Sequence, residues 1–238
     1  MTKTALWQAI SQTLIAEIAA GHFGPGDRLP TEADLARRFG VNRHTVRHAL
    51  GQMAASGLVH ARRGSGVFVA ARPTDYPLGA RVRFHRNIAA AGRVPGREIL
   101  SIITRSADVS EAEALGLPQS APVHDCHGLS LADGQPVALF RSLFPADRLA
   151  MLPEYLRAER SVTRALARHG VADYLRHSTR IMAQLASATQ AASLQITEGD
   201  PLLHTVALNT DPAGTPIELG HTWFAGDRVA LTLSPETA

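Results

Sequence analysis

Cysteine is nearly absent from the sequence. The 238 residues include a single cysteine, Cys126, which excludes an internal disulfide and a zinc site built from several thiolates. No hydrophobic run approaches the roughly 18 apolar residues that a membrane-spanning helix needs, because charged residues or prolines interrupt every run. The N-terminus also lacks the apolar stretch of a secretory signal. We therefore expect a cytoplasmic protein, and we predict neither a metal site nor a cofactor.

Charge is distributed unevenly along the chain. Residues 1–72 carry nine Lys and Arg against four Asp and Glu, a net of +5, whereas the rest carries 15 against 17, a net of −2. This is typical of a nucleic-acid-binding domain attached to a sensor or dimerisation domain, although a solvated basic face gives the same totals. We predict a DNA-binding domain over 1–72, a linker over 73–80, and an effector-binding and dimerisation domain over 81–238.

Helical patterns dominate the N-terminal part. Apolar residues four positions apart, from Leu6 to Ile18, predict a first helix that ends near Gly21. Thr31 occupies the N-cap position of a second helix, which Gly40 ends. A third helix is predicted over 43–56. Two short helices joined by a tight turn that contains glycine predict a helix-turn-helix.

The predicted third helix has an apolar face and a cationic face. The apolar face carries Val46, Ala49, Leu50 and Met53, and the cationic face carries Arg43, His44, Arg47 and His48. A recognition helix presents its N-terminal side chains to DNA, so we predict that Arg43 and Arg47 reach base edges and that Asn42 and Thr45 contact phosphates. The two histidines have the spacing of a helical metal pair. Because an adjacent Glu and a third ligand are missing, exposure or DNA contact is the better interpretation.

The pattern changes after Gly57. Apolar residues at 58–59 and 67–69 enclose a polar segment that contains Arg62, Arg63, Gly64 and Gly66. This predicts a β-hairpin with a basic tip, which is the wing of a winged helix-turn-helix. The glycines also suggest the start of a dinucleotide-binding motif, but the third glycine is missing and no helix follows.

These residues together resemble the DNA-binding domain of the GntR family of bacterial regulators. The matching residues are Gly24, Pro25, Gly26, Leu29, Pro30, Glu32, Leu35, Ala36, Phe39, Gly40, Val41, Arg43, Thr45, Val46, Arg47, Ala49, Leu50, Gly57, Leu58, Val59, Gly64, Gly66, Phe68 and Val69. Thr31 and Asn42 stand where serines are usual, and Ala33 stands where some members carry a base-contacting arginine. The operator sequence therefore cannot be transferred from those members.

The resemblance implies roles for individual residues. Arg43, Thr45 and Arg47 would meet the operator, Glu32 would orient the arginines, and Arg63 with Gly64 would place the wing tip in the minor groove. The predicted DNA-binding residues are Thr31, Glu32, Asn42, Arg43, His44, Thr45, Arg47, Arg62, Arg63, Gly64 and Gly66.

The remainder of the chain alternates strand and helix patterns. Strands are predicted over 98–105, 123–131, 137–144, 174–185, 202–209 and 217–224, and helices near 84–91, 110–115, 161–169 and 189–194. Neighbouring strands are separated by hairpin-like spacings that leave little room for crossover helices. We therefore predict an α+β domain built on an antiparallel sheet.

Two hairpin segments, 132–137 and 211–218, resemble the effector domain of the HutC branch of the family, called UTRA, which has a chorismate-lyase-like fold. Segments 76–79, 83–85, 170–176 and 224–228, with Thr179 and Arg180, further resemble regulators of phosphonate utilisation. This resemblance implies a ligand beside the helix starts at 83–87 and Ser161, where N–H donors and arginines suit a phosphate or phosphonate. The predicted effector-binding residues are Arg83, His85, Asn87, Arg141, Ser161, Tyr174, Arg176, Arg180 and Glu218.

Each effector-binding residue also has a structural alternative. Arg176 and Arg180 fit a solvated strand face, Tyr174 fits the core, and Glu218 fits a pair with an arginine. In addition, Ser130 stands two residues before the 132–134 turn, where the branch usually has an arginine. This departure favours a different or weakly bound ligand.

We predict a homodimeric repressor of phosphonate uptake and degradation genes that reads an inverted repeat of operator DNA. A small phosphonate or phosphorylated metabolite would change its operator affinity. The alternative from another class is an enzyme, but no metal constellation, nucleophile elbow or acid–base pair supports catalysis. Two alternatives stay open: a HutC-type regulator of another catabolic operon, and a constitutive DNA-binding repressor with no active sensor.

Overall fold

The structure, a computed structural model, describes residues 6–62, 64, 66–70 and 73–234. The chain divides into two units, Met1–Arg72 and Pro73–Ala238. Each unit has an apolar core of its own. No helix in the described part of the chain is long and apolar enough to cross a membrane.

The N-terminal unit consists of three helices and a hairpin. The elements are α1 Leu6–Ala19, α2 Glu32–Phe39, α3 Arg43–Ala55, β1 Val59–Arg62 and β2 Gly66–Val69, with β1 and β2 antiparallel. The core side chains are Ile10, Leu14, Leu29, Leu35, Val46, Ala49, Leu50, Met53, Val59 and Val69. Burial of each large apolar side chain stabilises the fold by about 1.5–3 kcal/mol, so this core holds α3 against α1 and α2. Leu6 belongs to the predicted apolar stripe but is 59% exposed.

The C-terminal unit combines eight strands with five helices in its described part. The strands are β3 Thr74–Pro77, β4 Pro95–Ser106, β5 Pro122–Ala132, β6 Gln135–Pro145, β7 Leu175–Leu185, β8 Pro201–Thr210, β9 Pro216–Ala225 and β10 Val229–Thr232. The helices are α4 Phe84–Ala90, α5 Val109–Leu115, α6 Leu152–Glu159, α7 Val162–Arg168 and α8 Ala188–Leu194.

Six of these strands form one antiparallel sheet in the order β4-β5-β6-β9-β8-β7. The tight turn between β5 and β6 places Asp133 at φ 51° and Gly134 at φ 75°. Both central residues of a type I′ hairpin turn need such angles, which Asp and Gly tolerate. The predicted α+β class with an antiparallel sheet is confirmed.

The predicted linker over 73–80 requires a correction. Residues Thr74–Pro77 form β3, which pairs in parallel with β10. Thr74 and Tyr76 are buried whereas Asp75 and Pro77 are exposed, and the Tyr76 ring lies 5.1 Å from the ring of Phe224. This alternation is typical of a strand with one packed face, so the segment belongs to the C-terminal unit.

Strand β6 shows how the sheet separates two environments. Phe140 and Phe144 share a core with helices α6 and α7, whereas Leu143 packs with α5 on the opposite face. Successive side chains of a strand point to opposite faces, so even-numbered positions in this part of β6 face α6 and α7. Arg141 therefore lies on the α5 side.

Ionic contacts join α5 to the sheet. The Glu111 carboxylate accepts two hydrogen bonds of 2.7 Å from Arg105 and one of 2.8 Å from Arg141. Asp125 accepts from the same two arginines. The Arg105 guanidinium is the main cause that lowers the pKa of Glu111 from 4.5 to about 2. The Glu111 side chain is only 6% exposed, so solvent screens these contacts weakly.

We expect Glu111→Gln to destabilise the C-terminal unit by about 3 kcal/mol at pH 7. The lowered pKa means that this stabilisation is fully present above about pH 4.5 and is lost as the pH falls towards about 2. Urea unfolding followed by Trp223 fluorescence in a Trp7→Phe background measures the difference. Glu113→Gln, which changes an exposed acid of the same helix, is the control. A deficit for Glu111→Gln that is as large at pH 3 as at pH 7 would contradict this account.

Candidate functional site

The helix-turn-helix is fixed by side-chain caps at both of its helix starts. Thr31 Oγ1 accepts a hydrogen bond of 3.2 Å from the Asp34 amide at the start of α2. Asn42 Oδ1 accepts from the Thr45 amide at 2.8 Å and from the Thr45 hydroxyl at 2.9 Å at the start of α3. These caps satisfy amides that the helices themselves leave unpaired. Asn42 therefore has a structural role besides its predicted phosphate contact.

Helix α3 has the two faces that the sequence predicts. Val46, Ala49, Leu50 and Met53 are buried. Arg43, His44 and Arg47 are exposed along the first two turns, and Thr45 is half-buried. The packed face fixes the helix, which leaves a cationic surface at its N-terminal end.

Arg47 is held by a carboxylate of α2. Its Nε donates to Glu32 Oε1 at 3.1 Å and its Nη2 donates to Glu32 Oε2 at 2.8 Å. This bidentate contact lowers the pKa of Glu32 and raises that of Arg47. Because Arg47 is 64% exposed, the pair orients the guanidinium more than it stabilises the unit.

His48 is exposed like Arg43 and Arg47, and it also contacts α1. Its ring lies 4.7 Å from the ring of Trp7 in α1. No group of three or more His, Cys, Asp or Glu side chains that could hold a metal ion occurs among the described residues.

The hairpin of β1 and β2 forms the wing. Gly64 and Gly66 have φ angles of 75° and 111°, which glycine adopts without strain. A Cβ at Gly66 would lie 2.8 Å from Arg28 Nε, so this glycine also leaves room for the Arg28 guanidinium. The predicted residue Arg63 and the side chain of Arg62 lie outside the described residues. Arg28 is a cation beside the wing that the sequence analysis missed, since nothing in its local pattern points to the hairpin.

A cavity lies in the C-terminal unit, bounded by the sheet, β3 and the starts of α4 and α7. The volume of the cavity is about 80 Å³, which is several times the roughly 10–15 Å³ that one buried water needs. A small ligand fits such a volume. The polar lining consists of His85, Arg97, Ser130, Ser142, Ser161, Thr163, Tyr174, Arg176, Thr205, Asn209, Glu218 and Thr222.

Five predicted effector residues line this cavity: His85, Ser161, Tyr174, Arg176 and Glu218. Tyr174 is almost fully buried and shares a hydrogen bond of 2.9 Å with Thr163. Burial, with a smaller contribution from the positive charges of Arg97 and Arg164, lowers the pKa of His85. His85 is therefore neutral at pH 7 and can serve as both donor and acceptor.

Arg97 is the lining cation that the sequence analysis missed. Its guanidinium lies over the Phe140 ring, with Cζ 4.3 Å from the ring centroid. Its Nε is buried and has no hydrogen-bond partner among the residues that the structure describes. Arg97 is paired across β4 and β5 with Ser130, which also lines the cavity. The position that lacks the usual arginine thus has an arginine beside it on the next strand, and cross-strand pairing is the signal that could have found it.

Glu218 is the lining acid. It is 8% exposed, and its two carboxylate oxygens accept hydrogen bonds of 2.7 Å from Ser142 Oγ and from Asn209 Nδ2. Asn209 Oδ1 in turn accepts from Arg176 Nε at 2.8 Å. The network connects four strands of the sheet, β6, β9, β8 and β7, and fixes both charged side chains at the cavity wall.

Three predicted effector residues have other roles. Arg141 lies on the α5 face and binds Asp125 and Glu111. Asn87 is buried and donates to the Pro77 carbonyl at 3.1 Å. Arg83 stacks on the Tyr174 ring and donates to Asp173 at 3.0 Å and to the Tyr174 carbonyl at 2.7 Å. Arg83 therefore supports the cavity wall and borders only a shallower depression near its mouth, with His85 and Ser161.

The prediction that Arg180 binds the effector requires a correction, because β7 contains a β-bulge. Arg176 pairs with Asn209 whereas Ser178 pairs with Leu208, so β7 contains one extra residue at this point. An extra residue reverses which side chains face which side. Arg180 consequently lies on the opposite face from Arg176, exposed beside Val206 and Leu208.

The chain matches known proteins along nearly its whole length. Residues 6–69 match the gntR family of bacterial regulatory proteins, and residues 90–230 match the UTRA domain. An HTH-type transcriptional regulator of Rhizobium meliloti is 37% identical over 96% of this chain and 94% of its own length. The probable transcriptional regulator PhnF of Escherichia coli is 35% identical over 95% and 94% of the two chains.

A solved structure of a relative has the same fold along nearly the whole chain. The crystal structure of PhnF from Mycobacterium smegmatis covers 97% of this chain and 98% of its own, with a TM-score of 0.65 and 27% identity. The predicted winged helix-turn-helix and UTRA fold are thereby confirmed, and the relatives are regulators, not enzymes. The chain therefore belongs to the GntR family of bacterial regulatory proteins, in the HutC branch that carries a UTRA domain, and is a transcriptional regulator.

Proposed function

We propose that this regulator represses phosphonate uptake and degradation genes and responds to a small phosphonate or phosphate-containing effector. The observation that carries the proposal is the cavity of the C-terminal unit, in which Arg97 presents a buried N–H that no described residue accepts. A guanidinium with free donors matches the oxygens of a phosphonate. The relatives named as a probable transcriptional regulator PhnF and a transcriptional repressor PhnF support the regulatory part of the proposal. The segments that resemble regulators of phosphonate utilisation support the class of ligand.

The operator would be read by the exposed start of α3. Arg43 and Arg47 would donate to guanine O6 and N7 in the major groove, with His44 beside them. Thr45 and the free amide of Asn42 would contact phosphates, as would the start of α2 at Thr31. Glu32 would hold Arg47 extended before DNA arrives, which lowers the entropy that binding must overcome. Arg62, Arg63, Gly64 and Gly66 would place the wing on the adjacent groove.

Arg47→Ala should weaken binding to the DNA upstream of this protein's own gene by about 1–3 kcal/mol. Fluorescence anisotropy with the full chain at fixed salt measures this, since phosphate contacts make affinity salt-dependent. Arg148→Ala is the control, because Arg148 is also an ion-paired arginine, bound to Asp211 in the C-terminal unit. If both variants bind this DNA as tightly as the unaltered protein, Arg47 does not read the operator.

We further propose that a homodimer binds an inverted repeat. A pair of such domains reads half-sites about 34–36 Å apart or a multiple of that distance. Nuclease protection is therefore expected to cover two half-sites related by a dyad. Protection of one half-site without a dyad would show that a single chain binds DNA alone.

Effector binding in the cavity should change operator affinity. We expect inorganic phosphate or methylphosphonate to shift the anisotropy titration of the full chain by at least about fivefold, the low end of allosteric coupling. Arg97→Gln should abolish this shift. Arg180→Gln should retain it, because Arg180 is an exposed arginine on the opposite face of the sheet. Operator affinity that no phosphate or phosphonate alters would leave a regulator of another operon or a constitutive repressor.

A further inference from the structure

We infer that the effector is a zwitterion, with an anionic phosphonate bound by Arg97 and Arg176 and an ammonium group bound by Glu218. This inference rests on the proposed function and specifies the chemistry of its ligand. It follows from two opposite charges that line one cavity without neutralising each other.

Arg97 determines where the anionic end of the ligand would bind. Stacking on Phe140 at 4.3 Å fixes the plane of its guanidinium while leaving the in-plane N–H groups free for a ligand. Arg97 forms no ion pair with any residue that the structure describes. Arg176 lines the same cavity and is held by Asn209 and Thr179 at 2.8 and 3.1 Å.

Glu218 determines where the cationic end of the ligand would bind. Its described hydrogen-bond partners, Ser142 and Asn209, are neutral donors, and no described cation pairs with it. Each oxygen of a carboxylate accepts up to two hydrogen bonds, so acceptor capacity remains at the cavity wall. A buried carboxylate without a cation is costly to maintain. A ligand ammonium would supply the missing charge.

The two ends are close enough for one small molecule. Phe140 and Ser142 are adjacent same-face positions of β6, about 7 Å apart at the spacing of a strand. Arg97 lies over the first and Glu218 accepts from the second. With His85 neutral, the lining carries two positive charges and one negative charge. A ligand with a phosphonate dianion and one ammonium balances both signs locally, whereas an alkylphosphonate leaves Glu218 without a cation.

The test compares two phosphonates of equal size. In 2-aminoethylphosphonate the chain ends in an ammonium, and in n-propylphosphonate a methyl group replaces it. Isothermal titration calorimetry with the full chain at pH 7 is expected to give at least about tenfold tighter binding of the aminophosphonate. Glu218→Gln should reduce that preference to within about threefold. Glu198→Gln, which changes an exposed acid, should keep it.

The outcomes of this comparison separate three claims: the zwitterionic ligand, the role of Glu218 and the phosphonate effector itself. Equal affinity of the unaltered protein for the two compounds would overturn the zwitterion while leaving the phosphonate sensor intact, and this comparison needs no variant to fold. A preference that persists in folded Glu218→Gln would overturn the assignment of Glu218. Binding of neither compound would overturn both this inference and the proposed effector.

Discussion

Among the residues that the structure describes, a carboxylate and a guanidinium line one cavity without an ion partner, and the proposed ligand depends on this constraint. Glu218 is held by the neutral donors Ser142 and Asn209, and Arg97 is held by the face of the Phe140 ring. A direct ion pair would satisfy both groups and leave nothing for a ligand to compensate. The sheet instead fixes each charge from a different strand. We propose that a molecule with both charges completes the electrostatics of the interior.

The N-terminal unit uses charge differently, through a direct ion pair between an exposed arginine and a carboxylate. Arg47 is an exposed cation whose direction is set by Glu32 in the preceding helix. There the carboxylate is half-exposed, so the pair orients the side chain at little cost in stability. We propose that charge thus prepares the DNA surface for a polyanion and the cavity for a small zwitterion. We regard the change in operator affinity on ligand binding as the link between them.

Much of the fold could be predicted from the sequence because its signals are local. The cap at Thr31, the two faces of α3 and the Asp133–Gly134 turn each follow from a few neighbouring residues. Helix α6 was missed. The β3–β10 pair was also missed, because β3 is defined by pairing with a strand about 155 residues away. In the site, Arg180 was misplaced by a bulge that no sequence pattern announces, and Arg97 was missed because its cavity position depends on register with β5.

The most direct test of the central claim is a crystal structure of the full chain with 2-aminoethylphosphonate. Our account predicts the phosphonate oxygens within hydrogen-bond distance of Arg97 and Arg176, and the amine nitrogen within about 3.2 Å of a Glu218 oxygen. A ligand bound outside this cavity, or bound with its amine directed away from Glu218, would contradict the account.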